Sequence, residues 1–167
     1  MYFYGYFLIL EKYNMANTYH QMYIQAVFAV KNRGALITDD CKSQILSIIG
    51  NSINETGCKT IIVNGTKDHV HCLLGLKPTI SISELMRIVK GKSSRFINDK
   101  QLTKHKFEWQ EGYGVFSYSK SHIDAVYKYI VNQEEHHKKQ NFKNEYLSLL
   151  DKYNVKYDER YVFENLI

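Results

Sequence analysis

The order in which two hydrophobic periodicities alternate is the feature that most constrains the fold of this chain. Apolar residues recur at every second position in some segments, as in strands, and at helical spacing in others. Asn64, Gly65 and Thr66 are predicted to form the turn of a hairpin, and Ser81 with Glu84 to form a capping box at a helix start. Strands are predicted at 19–30, 58–64, 69–76 and, with an irregular start, 107–119, and helices at 39–56 and 82–98.

This β-α-β-β-α-β order predicts an α+β protein with the ferredoxin-like split βαβ fold, in which one antiparallel sheet carries helices on one face. Further C-terminal helices are predicted at about 121–138 and 143–153. The domain organisation that follows is an N-terminal extension at 1–15, a main domain at 16–140 and a C-terminal helical tail at 141–167.

Charge and composition restrict the function only weakly. The 167 residues suffice for one compact domain, and 22 Lys and Arg against 17 Asp and Glu give a formal charge of +5. This excess permits a nucleic-acid partner, but an ordinary basic protein explains it equally well. The chain contains no Walker-type motif, so no nucleotide cofactor is expected.

The cysteines and the apolar runs predict a cytoplasmic protein. Cys41, Cys58 and Cys72 are odd in number and include no C-x-x-C pair, which argues against a disulfide framework and a structural zinc site. No apolar run approaches the length of a membrane span. The N-terminal stretch MYFYGYFLIL lacks the basic start and the cleavage site of a signal peptide.

Two histidines, His69 and His71, stand one residue apart in the predicted strand DHVHCLLGL. Because alternate side chains of a strand share a face, Val70, Cys72 and Leu74 face the core and the two histidines share the opposite face. Alternate residues of a strand lie roughly 6.5–7 Å apart along the backbone, and from that distance two imidazoles can turn toward each other and bind one metal ion. Two exposed histidines without a ligand are the alternative.

The helix predicted at 121–138 carries a tyrosine and an amide on one flank. Tyr129 lies roughly 110° from the apolar stripe, and Gln133 follows one turn later on the same flank. A phenol beside a neutral metal ligand is typical of a nucleophilic site, although a surface Tyr–Gln pair has the same spacing. His136 continues this line as an alternative ligand to Gln133, and Tyr127 falls on the apolar stripe as a core residue.

Four motifs in this order make the chain similar to a known family. They are HVH at 69–71, KGKSSR at 90–95, WQEGYGVFS at 109–117 and YIVNQ at 129–133. Over roughly residues 16–140 the chain resembles the single-tyrosine HUH transposases of small bacterial insertion sequences, which move as single-stranded DNA. Relatives of that family include the REP-associated tyrosine transposases.

The resemblance implies a role for each matching residue. His69, His71 and Gln133 would hold a divalent metal ion, Mg²⁺ or Mn²⁺. Tyr129 would attack a DNA phosphate, giving a 5′-phosphotyrosine and a free 3′-OH. The enzyme would nick and rejoin single-stranded DNA that forms a hairpin near the element's ends, in the bacterial cytoplasm. It would act as a homodimer in which the tyrosine of one subunit serves the histidines of the other.

The predicted helix 82–98 offers a second surface for DNA. Its face away from the apolar stripe is polar and basic, and Gly91 leaves room for a phosphate backbone. A solvated basic helix face explains the same pattern. The predicted DNA-binding residues are Arg87, Lys90, Lys92, Ser94 and Arg95.

Two other functions fit the same residues. A non-catalytic module that binds single-stranded nucleic acid would need neither metal nor Tyr129, although aromatic residues of the RNP type are missing from the first and third strands. A metal-dependent nuclease that uses water would need His69 and His71 but tolerate the loss of Tyr129. A domesticated relative that cuts host repeats would share the chemistry of the mobile-element enzyme.

Overall fold

Four strands form one antiparallel sheet in the computed structural model, which describes residues 19–138, 140–158 and 162. Their order across the sheet is β2-β3-β1-β4, and every neighbouring pair is antiparallel. This is the order of the split βαβ fold predicted from the sequence. The predicted N-terminal extension lies outside the described residues. The strands are β1 Tyr23–Ala29, β2 Lys59–Gly65, β3 His69–Gly75 and β4 Gly114–Tyr118.

Three α-helices of the described residues, the first, second and fifth along the chain, begin and end close to their predicted bounds. The Ser81 half of the predicted capping box is present, because the Ser81 hydroxyl accepts a hydrogen bond from the Glu84 backbone N–H at 3.2 Å, while the Glu84 carboxylate binds Arg87. Among the described residues there is no helix with the length and apolar character that crossing a membrane requires. The helices are α1 Asp39–Glu55, α2 Ile82–Asp99, α3 Ile123–Val131, α4 Gln133–His137 and α5 Phe142–Lys152.

Helices α1 and α2 cover one face of the sheet. Alternate residues of the two central strands, including Phe28, Val70 and Cys72, point into this layer. They pack against buried aliphatic side chains such as Ile45 of α1 and Leu85 of α2. This layer is the main hydrophobic core, and it forms because each helix buries a single apolar stripe.

The C-terminal helices cover the opposite face of the sheet. Ile123, Val126 and Ile130 of α3 pack on Leu73 of β3, and Phe142 of α5 belongs to a second cluster over β1 and β4. The odd-numbered side chains of β3 therefore lie between the sheet and these helices. Residues 142–152, predicted as part of a tail, thus pack directly on the sheet.

The continuous helix predicted at 121–138 is broken after α3. Asn132 leaves helical geometry with φ −92° and ψ 21°. The side-chain amide of Asn64 donates hydrogen bonds to the carbonyl oxygens of Ile130 (2.8 Å) and Val131 (3.1 Å). These carbonyls lack partners within a helix that ends here, so the Asn64 bonds stabilise the break.

The prediction that Tyr127 is a core residue is wrong. Its side chain is 43% exposed, whereas Ile123, Val126 and Ile130 are buried. Helix α3 packs over β3 and the edge strand β2. Because the sheet ends at β2, only the inner part of the apolar stripe has a surface to pack on, and Tyr127 falls on the rim.

The segment before β4 is irregular, as predicted, and contacts α2. Trp109 forms an isolated bridge to Val30, and its indole N–H donates to the Ser93 hydroxyl at 2.9 Å. The Lys90 ammonium donates to the backbone carbonyls of residues 110–112 at 2.5–3.3 Å. These bonds fix the path by which the chain enters β4.

Candidate metal centre and active site

His69 and His71 lie on the sheet face that the C-terminal helices cover. Both side chains are completely buried, and their ring centroids are 5.2 Å apart. The prediction that they share the face opposite Val70 and Cys72 is confirmed. The alternative of two exposed histidines is wrong, because helices from the C-terminal part of the chain cover them.

A third group of metal-ligand type, the carboxylate of Glu145, comes from α5 and was not predicted. The residue is 5% exposed. Its Oε1 lies 3.5 Å from His71 Nε2, and its Oε2 lies 3.6 Å from His69 Nε2. One ligand atom from each of the three residues lies within 4.8 Å of the other two, so the group could hold a metal ion.

Two features indicate that this group suits a divalent ion. His71 Nε2 is buried and has no hydrogen-bond partner among the described residues, and a buried nitrogen left unsatisfied is destabilising unless a ligand binds it. Imidazole and carboxylate atoms typically lie about 2.0–2.2 Å from a bound ion. A small inward movement of the three side chains would therefore bring their ligand atoms to one ion.

Glu145 also contacts the residues predicted as nucleophile and third ligand. The Tyr129 hydroxyl donates a short hydrogen bond to Oε1, and the Gln133 amide donates to the same oxygen at 2.9 Å. Gln133 Oε1 lies 3.5 Å from His69 Nε2, and His137 Nε2 lies 2.8 Å from the other carboxylate oxygen. The structure thus brings the H-x-H pair and the Tyr–Gln pair together around one carboxylate.

The structure separates the two predicted candidates for the third ligand. Gln133 is completely buried beside the histidines. His136 is exposed, with its ring centroid 5.0 Å from that of Tyr129. It is not part of the metal-binding group found among the described residues. His136 thus stays beside Tyr129, as the predicted line requires, but on the solvent side of the site.

Burial and charge hold Glu145 ionised and Tyr129 protonated. Burial opposes ionisation of Glu145, but the hydrogen bond with His137 and the nearby His71 imidazole hold its pKa well below the usual range. Burial and the bond to Glu145 raise the pKa of Tyr129 above its ordinary value. Burial lowers the pKa of His69 to about 4, so the neutral ring that can ligate a metal predominates at neutral pH.

A cavity of about 320 Å³ opens beside the tyrosine. Its lining includes Tyr129 and Glu145, together with Lys152 of α5 and His122 from the turn before α3. A phosphodiester that entered this cavity would meet the phenolic oxygen at one end. None of the residues predicted to bind DNA lines this cavity, because those residues lie on α2.

The residues predicted to bind DNA lie on α2, across the sheet from the metal-binding group. Three are engaged within the protein: Arg87 donates two hydrogen bonds to Glu84, Lys92 pairs with Glu55, and Lys90 binds backbone carbonyls. Ser94 donates to the Gly91 carbonyl at 3.3 Å. Arg95 is exposed and has no ion-pair partner among the residues that the structure describes.

The sequence around Glu145 places a carboxylate in the apolar stripe of a helix. Helix α5 buries Phe142, Glu145, Leu149 and Leu150, so a carboxylate occupies a position in an apolar stripe. A charged side chain is rarely buried unless it is paired. The spacing of Phe142, Glu145 and Leu149 therefore marked a candidate site residue, but nothing local indicated its partners.

Comparison with known families agrees with this geometry. The family model described as "Transposase IS200 like" matches residues 18–133, a span that contains both histidines, Tyr129 and Gln133. The chain belongs to the IS200-like transposase family, and the resemblance predicted from the four motifs is confirmed. Glu145 lies beyond the matched span.

Individual relatives support the same assignment. ISDra2 transposase TnpA from Deinococcus radiodurans is 24% identical over 121 residues, which cover 70% of this chain and 86% of that protein. A crystal structure of a protein assigned as a transposase from the same organism has a TM-score of 0.58 at 22% identity, covering 71% of this chain and 95% of that chain. A REP-associated tyrosine transposase bound to a REP hairpin has a TM-score of 0.53 at 14% identity, covering 74% of both chains. These structural matches confirm the α+β fold.

Proposed function

We propose that this transposase nicks and rejoins single-stranded DNA through Tyr129, beside a divalent metal ion held by His69 and His71. The observation that carries the proposal is the position of the Tyr129 hydroxyl. It donates to the same Glu145 carboxylate that lies 3.5 Å from His71 and 3.6 Å from His69. The proposed nucleophile and the proposed metal ligands therefore converge on one buried carboxylate.

Three side chains would hold the metal ion, and the neighbouring cavity would hold the DNA. His69 and His71 present neutral nitrogen ligands, and either Glu145 or Gln133 supplies an oxygen ligand, in a set that suits Mn²⁺ or Mg²⁺. When bound, such an ion polarises the scissile phosphate and neutralises the charge that develops on it. The cavity beside Tyr129 would receive the phosphodiester.

Tyr129 would perform the covalent step. Its phenolic oxygen forms a bond to phosphorus as the bond from phosphorus to the 3′ oxygen breaks, which leaves a 5′-phosphotyrosine and a 3′-OH. The phenolic proton leaves, and the departing 3′ oxygen takes up a proton from solvent. The hydrogen bond to Glu145 holds the phenolic oxygen toward the metal-binding group before attack.

The DNA partner would be single-stranded DNA that folds into a hairpin near the ends of the element, in the bacterial cytoplasm. One structural relative is bound to a REP hairpin, which supports this class of substrate. Arg87, Lys90, Lys92, Ser94 and Arg95 on α2 are proposed to contact that hairpin. Assembly as a homodimer is also part of the proposal.

The proposed reaction would leave DNA covalently attached to Tyr129. We expect the protein, incubated with Mg²⁺ or Mn²⁺ and single-stranded DNA from the flanks of its gene, to form a denaturant-resistant protein–DNA adduct on gels. Tyr129→Phe should abolish the adduct because the attacking oxygen is gone, and His69→Ala or a chelator should abolish it by removing the metal. Tyr127→Phe, an exposed tyrosine on the same helix, is the matched control and should react like the wild type.

Each alternative function has its own outcome in this assay. Cleavage by Tyr129→Phe without an adduct would identify a nuclease that uses water. DNA binding with neither cleavage nor adduct in the wild type would identify a non-catalytic binding module. An adduct that persists in Tyr129→Phe would rule out Tyr129 as the nucleophile.

A further inference from the structure

The ring nitrogen of His69 that points away from the metal-binding group is held by a carboxylate. Its Nδ1 lies 2.8 Å from Asp68 Oδ1. The Thr66 hydroxyl donates to the same carboxylate oxygen at 3.0 Å and lies 2.9 Å from Nδ1. A carboxylate that is paired with a cation can only accept hydrogen bonds, so the proton between the two residues belongs to Nδ1. Nε2 faces the oxygens of Gln133 at 3.5 Å and Glu145 at 3.6 Å, beyond the usual length of an N–H···O hydrogen bond, so its lone pair is available to a metal ion.

Arg33 occupies the other oxygen of the same carboxylate. Its Nε and Nη2 donate to Asp68 Oδ2 at 3.0 and 2.6 Å. The guanidinium carbon lies 4.9 Å from the ring centre of Phe142, and that ring stacks on His69 with a centroid distance of 4.0 Å. Asp68 thus accepts from His69 and Thr66 through Oδ1 and from Arg33 through Oδ2, and the stacked Phe142 limits rotation of the imidazole.

The partner of His71 is chemically different. The Gln25 amide nitrogen lies 2.8 Å from His71 Nδ1, and the Tyr118 hydroxyl donates to the Gln25 carbonyl oxygen at 2.7 Å. An amide can present either its oxygen or its nitrogen after a half-turn, so it permits both ring tautomers. Only the His69 side of the site has a partner that enforces one tautomer.

We propose that Asp68, oriented by Arg33, is a positioning residue that fixes His69 in the Nδ1–H tautomer required for metal binding. The inference rests on the proposed metal role of His69. A carboxylate behind a ligating histidine fixes its ring orientation, and its loss typically weakens metal affinity about 10- to 100-fold. We expect Asp68→Asn to change the tautomer of His69 as well as to remove a charge.

In Asp68→Asn, the Arg33 guanidinium has only N–H donors, so it binds the single oxygen of the new amide. The amide nitrogen is then left facing His69 Nδ1, which must act as acceptor and move its proton to Nε2, inside the site. Replacing a carboxylate by an amide has this effect on the histidine of serine-protease triads. In the double variant Arg33→Met with Asp68→Asn, the amide oxygen is free to turn toward His69 and restore the Nδ1–H tautomer.

The test uses the full-length protein labelled with ¹⁵N-histidine, without metal, and reads the His69 tautomer from long-range ¹H–¹⁵N correlation spectra. The wild type should show Nδ1–H and Asp68→Asn should show Nε2–H. Mn²⁺ titration followed by electron paramagnetic resonance should show about 10- to 100-fold weaker binding in Asp68→Asn. The double variant should regain the wild-type tautomer and bind Mn²⁺ more tightly than Asp68→Asn. Asp39→Asn, an exposed carboxylate, should match the wild type.

An Nε2–H ring in the wild type would overturn the proposal even if no variant folds. So would a double variant that binds Mn²⁺ no better than Asp68→Asn, since a merely structural role for the ion pair predicts two additive losses. These readouts are independent of DNA chemistry. A missing adduct with an Nδ1–H ring would contradict the strand-transfer function alone, whereas an adduct with an Nε2–H ring would contradict only the positioning role.

Discussion

At the scale of single residues, the carboxylate of Glu145 changes the chemistry that the H-x-H pair alone would offer. Two histidines and a glutamine form a neutral ligand set, whereas Glu145 brings a negative charge within 3.6 Å of both imidazoles. A charge buried in a protein interior is tolerated when several donors surround it, and here His137, Gln133 and Tyr129 supply them. The carboxylate therefore contacts both the proposed metal ligands and the proposed nucleophile.

We predict that Glu145→Gln weakens Mn²⁺ binding by at least about tenfold, because it replaces a charged ligand with a neutral one. Titration by electron paramagnetic resonance measures the change. Glu134→Gln removes an exposed carboxylate from α4 and serves as the control. If Gln133 is the oxygen ligand instead, Gln133→Ala should weaken binding while Glu145→Gln should not.

At the scale of elements, the sheet separates two functional layers. β3 contributes its even-numbered side chains to the core under α1 and α2, and its histidines to the layer under the C-terminal helices. The site thus depends on where α3 and α5 dock. Helix α4 begins directly after the break at Asn132, which Asn64 stabilises, and its Gln133 and His137 lie beside Glu145.

The α2 surface gives an element-scale prediction for DNA binding. Arg95 is exposed on α2, whereas Arg87 already donates two hydrogen bonds to Glu84. We therefore expect Arg95→Ala to weaken hairpin binding and to reduce the salt dependence of the affinity by about one phosphate contact. Arg87→Ala should have the smaller effect. Lys59→Ala, on the edge strand β2, is the control, and an unchanged salt slope in Arg95→Ala would contradict a phosphate contact.

At the scale of the whole molecule, one chain already contains every group of the proposed site. Tyr129 lies next to the histidines of its own chain, with a centroid distance of 6.0 Å to His71, and shares the Glu145 carboxylate with Gln133. The resemblance implies a dimer in which tyrosine and histidines come from different subunits. In this structure the residues of the proposed site all come from one chain.

We predict that two inactive variants do not rescue each other. Mixing or co-expressing His69→Ala with Tyr129→Phe should give no protein–DNA adduct, because no single chain then holds both groups. The adduct assay on the mixed sample measures this, with wild type mixed with each variant as the control. Adduct formation by the mixture would show that Tyr129 serves the histidines of another subunit.

Much of the molecule was determined by the sequence itself, because periodicity is a local property. Apolar spacing predicted the element order, and the alternation in DHVHCLLGL placed His69 and His71 on one face. The four motifs identified the transposase family that the family model confirms. The spacing of Tyr129 and Gln133 placed them on one flank of a helix, which holds even though that helix breaks between them.

Only the tertiary structure decided what covers the histidines and which groups complete the site. Tyr127 kept the spacing of a core residue but lies outside it, since α3 packs at the edge of the sheet. Glu145 reaches His69 through α5, and Arg33, in the turn after β1, reaches the neighbouring Asp68. Periodicity shows which side of an element is apolar, but it does not show which distant segment packs there. A buried charged residue forms a site only when that packing brings its partners within hydrogen-bond distance.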